Sequence, residues 1–333
     1  MLKKCLEYLQ NHLNRYRHFN NETLGFLCWA VGPELKRIGD LLMDAVQGKH
    51  REKFETELSE SEHDLDDWEE IITRMFRKIP PHNAKKAHRQ ILKLIGSLHS
   101  KIKYRGKSEI EKNMAALKKM FNLTDREIDF CVFLLILYSL EEADNFFVDH
   151  LECNKMIRQR YLANILGFSK KELNEVLNGT LKKISLFEMD NYDLKLEDEF
   201  IQLFQNTSDQ TFSENYYFKI PPNRIPFDYY FIKKEERDHI LNLLKKKPDT
   251  STHILFYGSP GTGKTSFAYS LANYLKIPAY EIVRGDDNTT KNRRAAIVAC
   301  QNITNGGNGS LVLVDEADNL LNTQASWFMR GET

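Results

Sequence analysis

Long apolar runs are missing from this chain of 333 residues. The most apolar stretch is Phe130 to Tyr138, FCVFLLILY. A helix that crosses a bilayer needs about 20 apolar residues. The stretch is therefore read as a buried helix, and no membrane partner is expected. Cysteine is scarce: there are five, at positions 5, 28, 131, 153 and 300. The number is odd and no pair has C-x-x-C spacing, so a disulfide framework is not expected and reduced thiols in a cytoplasmic protein are. Net charge is absent as well, with 47 basic residues against 47 acidic ones, so nothing pulls the whole chain toward nucleic acid or anionic lipid. The opening residues, MLKKCLEYL, turn polar too early for a secretory signal.

What is present is an ordinary globular composition, 41% hydrophobic and 28% charged, in a length that suits about two or three domains. Residues 1–119 read as helical throughout. Leu2, Leu6, Leu9 and Leu13 recur at helical spacing, as do Leu35, Ile38, Leu41 and Leu42. Pro80-Pro81 separates two helices. Charge is split within this region. Glu52 to Glu70 holds ten acids and one lysine, and Ile71 to Ser108 holds eleven Lys or Arg and no acid. Such a basic run is a surface for nucleic acid, or else the two blocks face each other or are solvated helix faces. Few aromatics interleave it, which favours the solvated face.

Residues 120–206 read as a second helical region. Thr124 and Glu127 form a capping box before the apolar helix, and Ser169 caps a later one after a turn at Gly167-Phe168. Leu186 to Met189 and Tyr192 to Leu196 flank Asp190-Asn191 as a hairpin. Helix, turn, helix, hairpin is the order of a winged helix, a module that binds DNA or protein. His150, Glu152 and Cys153 lie close in sequence but match no common zinc spacing. His82 and His88 read as solvated. Residues 207–234, with Pro221-Pro222 and Pro226, read as a linker.

The chemistry is concentrated after residue 235. His253 to Tyr257 reads as a short strand. It runs into Gly258-Ser259-Pro260-Gly261-Thr262-Gly263-Lys264-Thr265-Ser266, which opens a helix. Strand, glycine-rich loop and helix are the context in which G-x-x-x-x-G-K-[ST] cradles phosphate. Backbone N–H groups of the loop face phosphate oxygens, Lys264 places a cation on the β- and γ-phosphates, and the Thr265 hydroxyl reaches magnesium. A second strand, Leu311 to Val314, ends in Asp315 and Glu316. Asp315 suits a magnesium ligand acting through water, and Glu316 a general base that orients the attacking water. With a strand at Ala279 to Val283 and a helix at 290–304 between them, the order is β-α-β-α-β, which predicts a parallel sheet with flanking helices.

Gly258 to Thr265 together with Asp315-Glu316 resembles the AAA family of ATPases over roughly residues 235–333. The fold expected is a partial α/β P-loop core preceded by mostly α N-terminal regions, one of them winged-helix-like. The resemblance implies ATP and Mg2+ as cofactors, Lys264 and Glu316 as catalytic residues, and Thr265 and Asp315 at the metal. It also implies a homo-oligomer that couples hydrolysis to remodelling of a protein or nucleic-acid partner. The alternative is a DNA- or protein-binding module with a vestigial nucleotide site. The place of the family's aromatic threading loop reads Arg284-Gly285-Asp286-Asp287-Asn288, which carries no aromatic. Arg293 and Arg294 are read as an oligomer interface or a solvated face. The family's phosphate-sensing strand, arginine finger and helical lid would follow Thr333. The expectation is therefore that residues 1–333 alone hydrolyse ATP very slowly or not at all, and that the 253–257 strand lacks its sheet neighbour.

Overall fold

The computed structural model describes residues 1–17, 19–46, 48–60, 65–103, 108–189, 194–198, 200–201, 212–221, 225–245, 251–283, 290–304 and 309–317. The chain divides into two compact units. One comprises Met1–Lys118 and Leu123–Thr207, and the other Lys119–Asn122 and Ser208–Thr333. The stretches 1–119 and 120–206, distinct in pattern, thus share most of one unit.

The first unit is helical. Helices Leu2–Arg15, Asn21–Val31, Leu35–Met43, Lys49–Glu60, Leu65–Arg77, Pro81–Lys101 and Glu109–Phe121 precede Asp125–Ser139, Glu141–Leu151, Lys155–Leu166 and Lys170–Asn178. Asp125–Ser139 buries Phe130, Cys131 and Phe133 to Leu137. Apolar residues on nearly every side of a helix require neighbours all round. Aromatic rings supply much of that core. Phe26 stacks on Phe146 at 4.7 Å, and Phe147 meets Phe133 edge-on at 5.3 Å.

Helix ends follow local chemistry. Thr124 and Glu127 form the capping box, as do Ser169 and Glu172. Gly167 ends its helix in the left-handed region at φ 66°. Glu127 also accepts from the Thr180 amide at 3.1 Å, so one carboxylate serves two helix starts. Phe187–Met189 pairs antiparallel with Leu194–Leu196. The turn at 190–193 lies outside the described residues.

Arg74 of the basic run pairs with Glu57 of the acidic one at 3.0 Å, so the two charge blocks meet at this point. Helix Pro81–Lys101 buries Ala87, Ile91, Leu94 and Ile95 and exposes Lys85, Lys86, Arg89 and Lys93. His88 is half-buried rather than solvated and bonds the Leu13 carbonyl at 2.9 Å, with burial lowering its pKa.

The second unit holds a three-stranded sheet ordered Tyr217–Lys219, Ala279–Ile282, Leu311–Leu313. The last two pair in parallel, with Ala279 opposite Leu311. Tyr217–Lys219 adds antiparallel, with Tyr217 opposite Ile282. It lies in the stretch read as a linker. A three-residue strand is set by its partner, not by its own periodicity. Helix Lys264–Leu275 supplies Phe267 and Leu271 to a cluster with Phe227 and Leu241.

The predicted strand at His253–Tyr257 is a correction. These residues are in no strand among those described, and the sheet is mixed rather than wholly parallel. The run keeps a strand's alternation: Ile254 and Phe256 are half-buried, while Leu255 and Tyr257 are exposed. Phe256 packs edge-on to Phe267 at 5.4 Å. One face is anchored by packing, but strand assignment needs ladder hydrogen bonds as well.

Candidate nucleotide site

Two segments distant in sequence build this site. The first is the glycine-rich loop. Gly261 and Gly263 adopt φ of 79° and 83°, where a side chain is strained whatever the space around it. Gly263 is the N-cap of helix Lys264–Leu275, which has no side-chain cap and no acid in its first turn. Uncapped N–H groups and the positive end of the helix dipole together favour an anion. Lys264 donates from Nζ to the carbonyls of Gly258 and Ser259, both at 3.0 Å, which draws the ammonium back over the loop. Thr262 ties the loop internally through a 2.9 Å bond to the Ser259 carbonyl. The uncapped amides at the start of this helix and the Lys264 ammonium thus gather donors around one turn.

Ser266 faces the other way. Its Oγ lies 2.5 Å from the Tyr230 hydroxyl, which also meets Ser270 Oγ at 3.1 Å. Ser270 in turn bonds the Ile225 carbonyl at 2.8 Å. Ser266 therefore anchors the helix to the segment before it.

The second segment is the end of strand Leu311–Leu313. The Thr265 hydroxyl lies 3.3 Å from Asp315 Oδ2. The hydroxyl donates to the carboxylate across that distance, and hard oxygen donors of these two kinds suit magnesium, the hydroxyl as a direct ligand and the carboxylate through water. Asp315 Oδ1 accepts the Glu316 amide at 3.0 Å. Glu316 is exposed and takes a left-handed backbone, φ 49°. Among the described residues no group of three or more His, Cys, Asp or Glu could hold a metal, which leaves His150, Glu152 and Cys153 without such a site.

One residue escaped the sequence pattern. Arg293, on helix Thr290–Thr304, is 1% exposed. It donates from Nη1 to the Glu316 carbonyl at 2.7 Å and from Nη2 to the Asp315 carbonyl. The reading of Arg293 as surface is corrected, while Arg294 is exposed. Arg293 shares the helical phase of buried Ala296 and Cys300, and that spacing was the available signal. Arg284 to Asn288 lie outside the described residues.

The comparisons with known proteins converge on this segment. Residues 254–332 match the family model described as ATPase family associated with various cellular activities (AAA). The replication factor C large subunit of Natronomonas pharaonis is 40% identical over 85 residues, 25% of this chain and 18% of that protein. Its counterpart in Sulfurisphaera tokodaii is 38% identical over 93 residues, 26% of this chain and 20% of that one. A putative 26S proteasome regulatory subunit homolog of Methanothermobacter thermautotrophicus is 67% identical over 30 residues, 9% of this chain and 8% of its own. The chain spans about a fifth or less of the length of these curated relatives. No solved structure matches it. With the loop and acid pair in place, residues 254–332 are a segment of the AAA family of ATPases.

Proposed function

We propose that this chain binds magnesium–ATP through Gly258 to Ser266 and Asp315, and that the protein it represents couples ATP hydrolysis to remodelling of a macromolecular partner. The observation that carries the reading is the 3.3 Å approach of Thr265 Oγ1 and Asp315 Oδ2. These residues are far apart in sequence yet bring two hard oxygen ligands together beside an uncapped helix start.

Each residue has a role in this reading. The loop amides and Lys264 bind and orient the phosphates. Lys264 exchanges its two carbonyl partners for phosphate oxygens, so binding replaces contacts it already holds. Thr265 and Asp315 hold the metal, whose charge, when bound, offsets that developing on the phosphate oxygens. Glu316, exposed at the end of the same strand, takes a proton from the attacking water.

The matched relatives are a replication factor subunit and a proteasome regulatory subunit homolog, one name pointing to nucleic acid and the other to protein. Both are named as subunits, which supports an oligomer. The capped helices and hairpin of 120–206 support a winged-helix-like adaptor in front of the nucleotide site.

Titration of the 333-residue chain with a fluorescent ATP analogue tests the site. Lys264→Ala should lose about 2 to 3 kcal/mol of binding, because a charge-assisted contact is removed. That corresponds to roughly 30- to 150-fold in affinity. Asp315→Asn should keep metal-free binding and lose at least about tenfold of the gain from magnesium. Affinity unchanged in both variants would refute the site.

A further inference from the structure

We propose that Arg293 is a positioning residue for the Asp315–Glu316 turn, holding both acids in the register that meets Thr265. The proposal rests on the magnesium–ATP reading of that site.

The Arg293 guanidinium donates two hydrogen bonds, both to the main chain of the two acidic residues. The planar fork of arginine suits two neighbouring acceptors, which a point charge such as lysine cannot reproduce. The turn it grips has a left-handed residue, Glu316, at φ 49°. Such a conformation persists where surrounding contacts over-determine it. Here the contacts are the two bonds from Arg293 and the bond from the Glu316 amide to Asp315 Oδ1. The same Asp315 carboxylate reaches Thr265 through Oδ2. Carbonyl, carboxylate and hydroxyl thus form a chain of contacts from helix Thr290–Thr304 to helix Lys264–Leu275.

A plain packing role explains less. The residues that share the helix face of Arg293, Ala296 and Cys300, are small and buried. A guanidinium among them is an expensive filler, and its Nε is buried without a hydrogen-bond partner. What the side chain satisfies is the acid-bearing turn.

The test compares ATP affinity of the whole chain with and without magnesium, read by a fluorescent ATP analogue. The ratio of the two affinities reports the metal ligands. Metal-free affinity reports the loop. In Arg293→Met the ratio should fall at least about tenfold, the scale at which groups orienting metal ligands act. Metal-free affinity should stay within about twofold, since Lys264 and the loop amides are untouched. Arg293→Lys should fall part of the way, keeping charge but not the fork. If Arg293→Met does not fold, judged by far-UV circular dichroism, Arg293→Lys decides. An unchanged magnesium ratio in the folded variant overturns the proposal. Equal loss with and without magnesium also overturns it, because it marks a general structural role. Wild-type protein that binds ATP with no gain from magnesium overturns it too. Wild-type protein that binds no ATP instead defeats the nucleotide reading on which it stands.

Discussion

In the first unit, Phe26, Phe133, Phe146 and Phe147 are each at most 2% exposed and packed against one another, stacked or edge-on. In the second, Phe227 and Phe267 are buried, but Leu255 and Tyr257 next to the phosphate loop are 63% and 88% exposed. The first unit closes these rings in an interior, while Met156 and Ile157 stand exposed on its surface. The other leaves apolar groups open beside the residues that carry chemistry. Elements that bind and release ligands are drawn from the less stable parts of a fold. The contrast assigns resistance to unfolding to the first unit and ligand response to the second.

The largest expected effect breaks the first side of that contrast. Phe147→Ala should destabilise the first unit by about 3 to 5 kcal/mol, as large-to-small changes in aromatic cores do. Chemical denaturation followed by circular dichroism measures it. A loss under about 1 kcal/mol would show an interior looser than its ring geometry implies.

Acid probes the same interior. His12 is buried, 3.1 Å from the Tyr161 hydroxyl and beside His150. Burial first, and the His150 charge second, lower its pKa from 6.5 to about 4. The unfolded chain therefore takes up a proton between those values that the folded chain refuses. Stability from this group is full above pH 6.5 and falls as pH drops toward 4. The total is about 3 kcal/mol. His12→Gln should flatten denaturation midpoints between pH 7 and 5, and a slope equal to wild type would contradict it.

The smallest effect is local. Thr124→Ala removes the side chain that accepts the Glu127 amide and should cost about 1 kcal/mol. ATP affinity should not move, and a change in it would blur the separation between the units.

What the sequence showed depended on range. The capping boxes at Thr124 and Ser169 span four residues each, and the phosphate loop is contiguous, so side-chain type alone located them. Asp315 and Glu316 were legible because a strand pattern leads into them. Tyr217–Lys219 was not, since its pairing with Ala279–Ile282 is long-range. His253–Tyr257 showed the reverse: its apolar, β-prone run was legible, while its lack of a ladder depends on neighbours. Arg293 was hidden by its type. An arginine on a helix is ordinarily solvated, and only its phase with Ala296 and Cys300 marks it as interior.

The approach of Thr265 to Asp315 has a further consequence. Bringing together positions some fifty residues apart restricts the chain by about 3 to 4 kcal/mol of entropy. A ligand gripping both ends shares that cost with the fold. At a free concentration a thousand times its dissociation constant, it adds about 4 kcal/mol to the folded state. If that ligand is the magnesium–ATP proposed above, resistance of this segment to proteolysis should rise with nucleotide concentration.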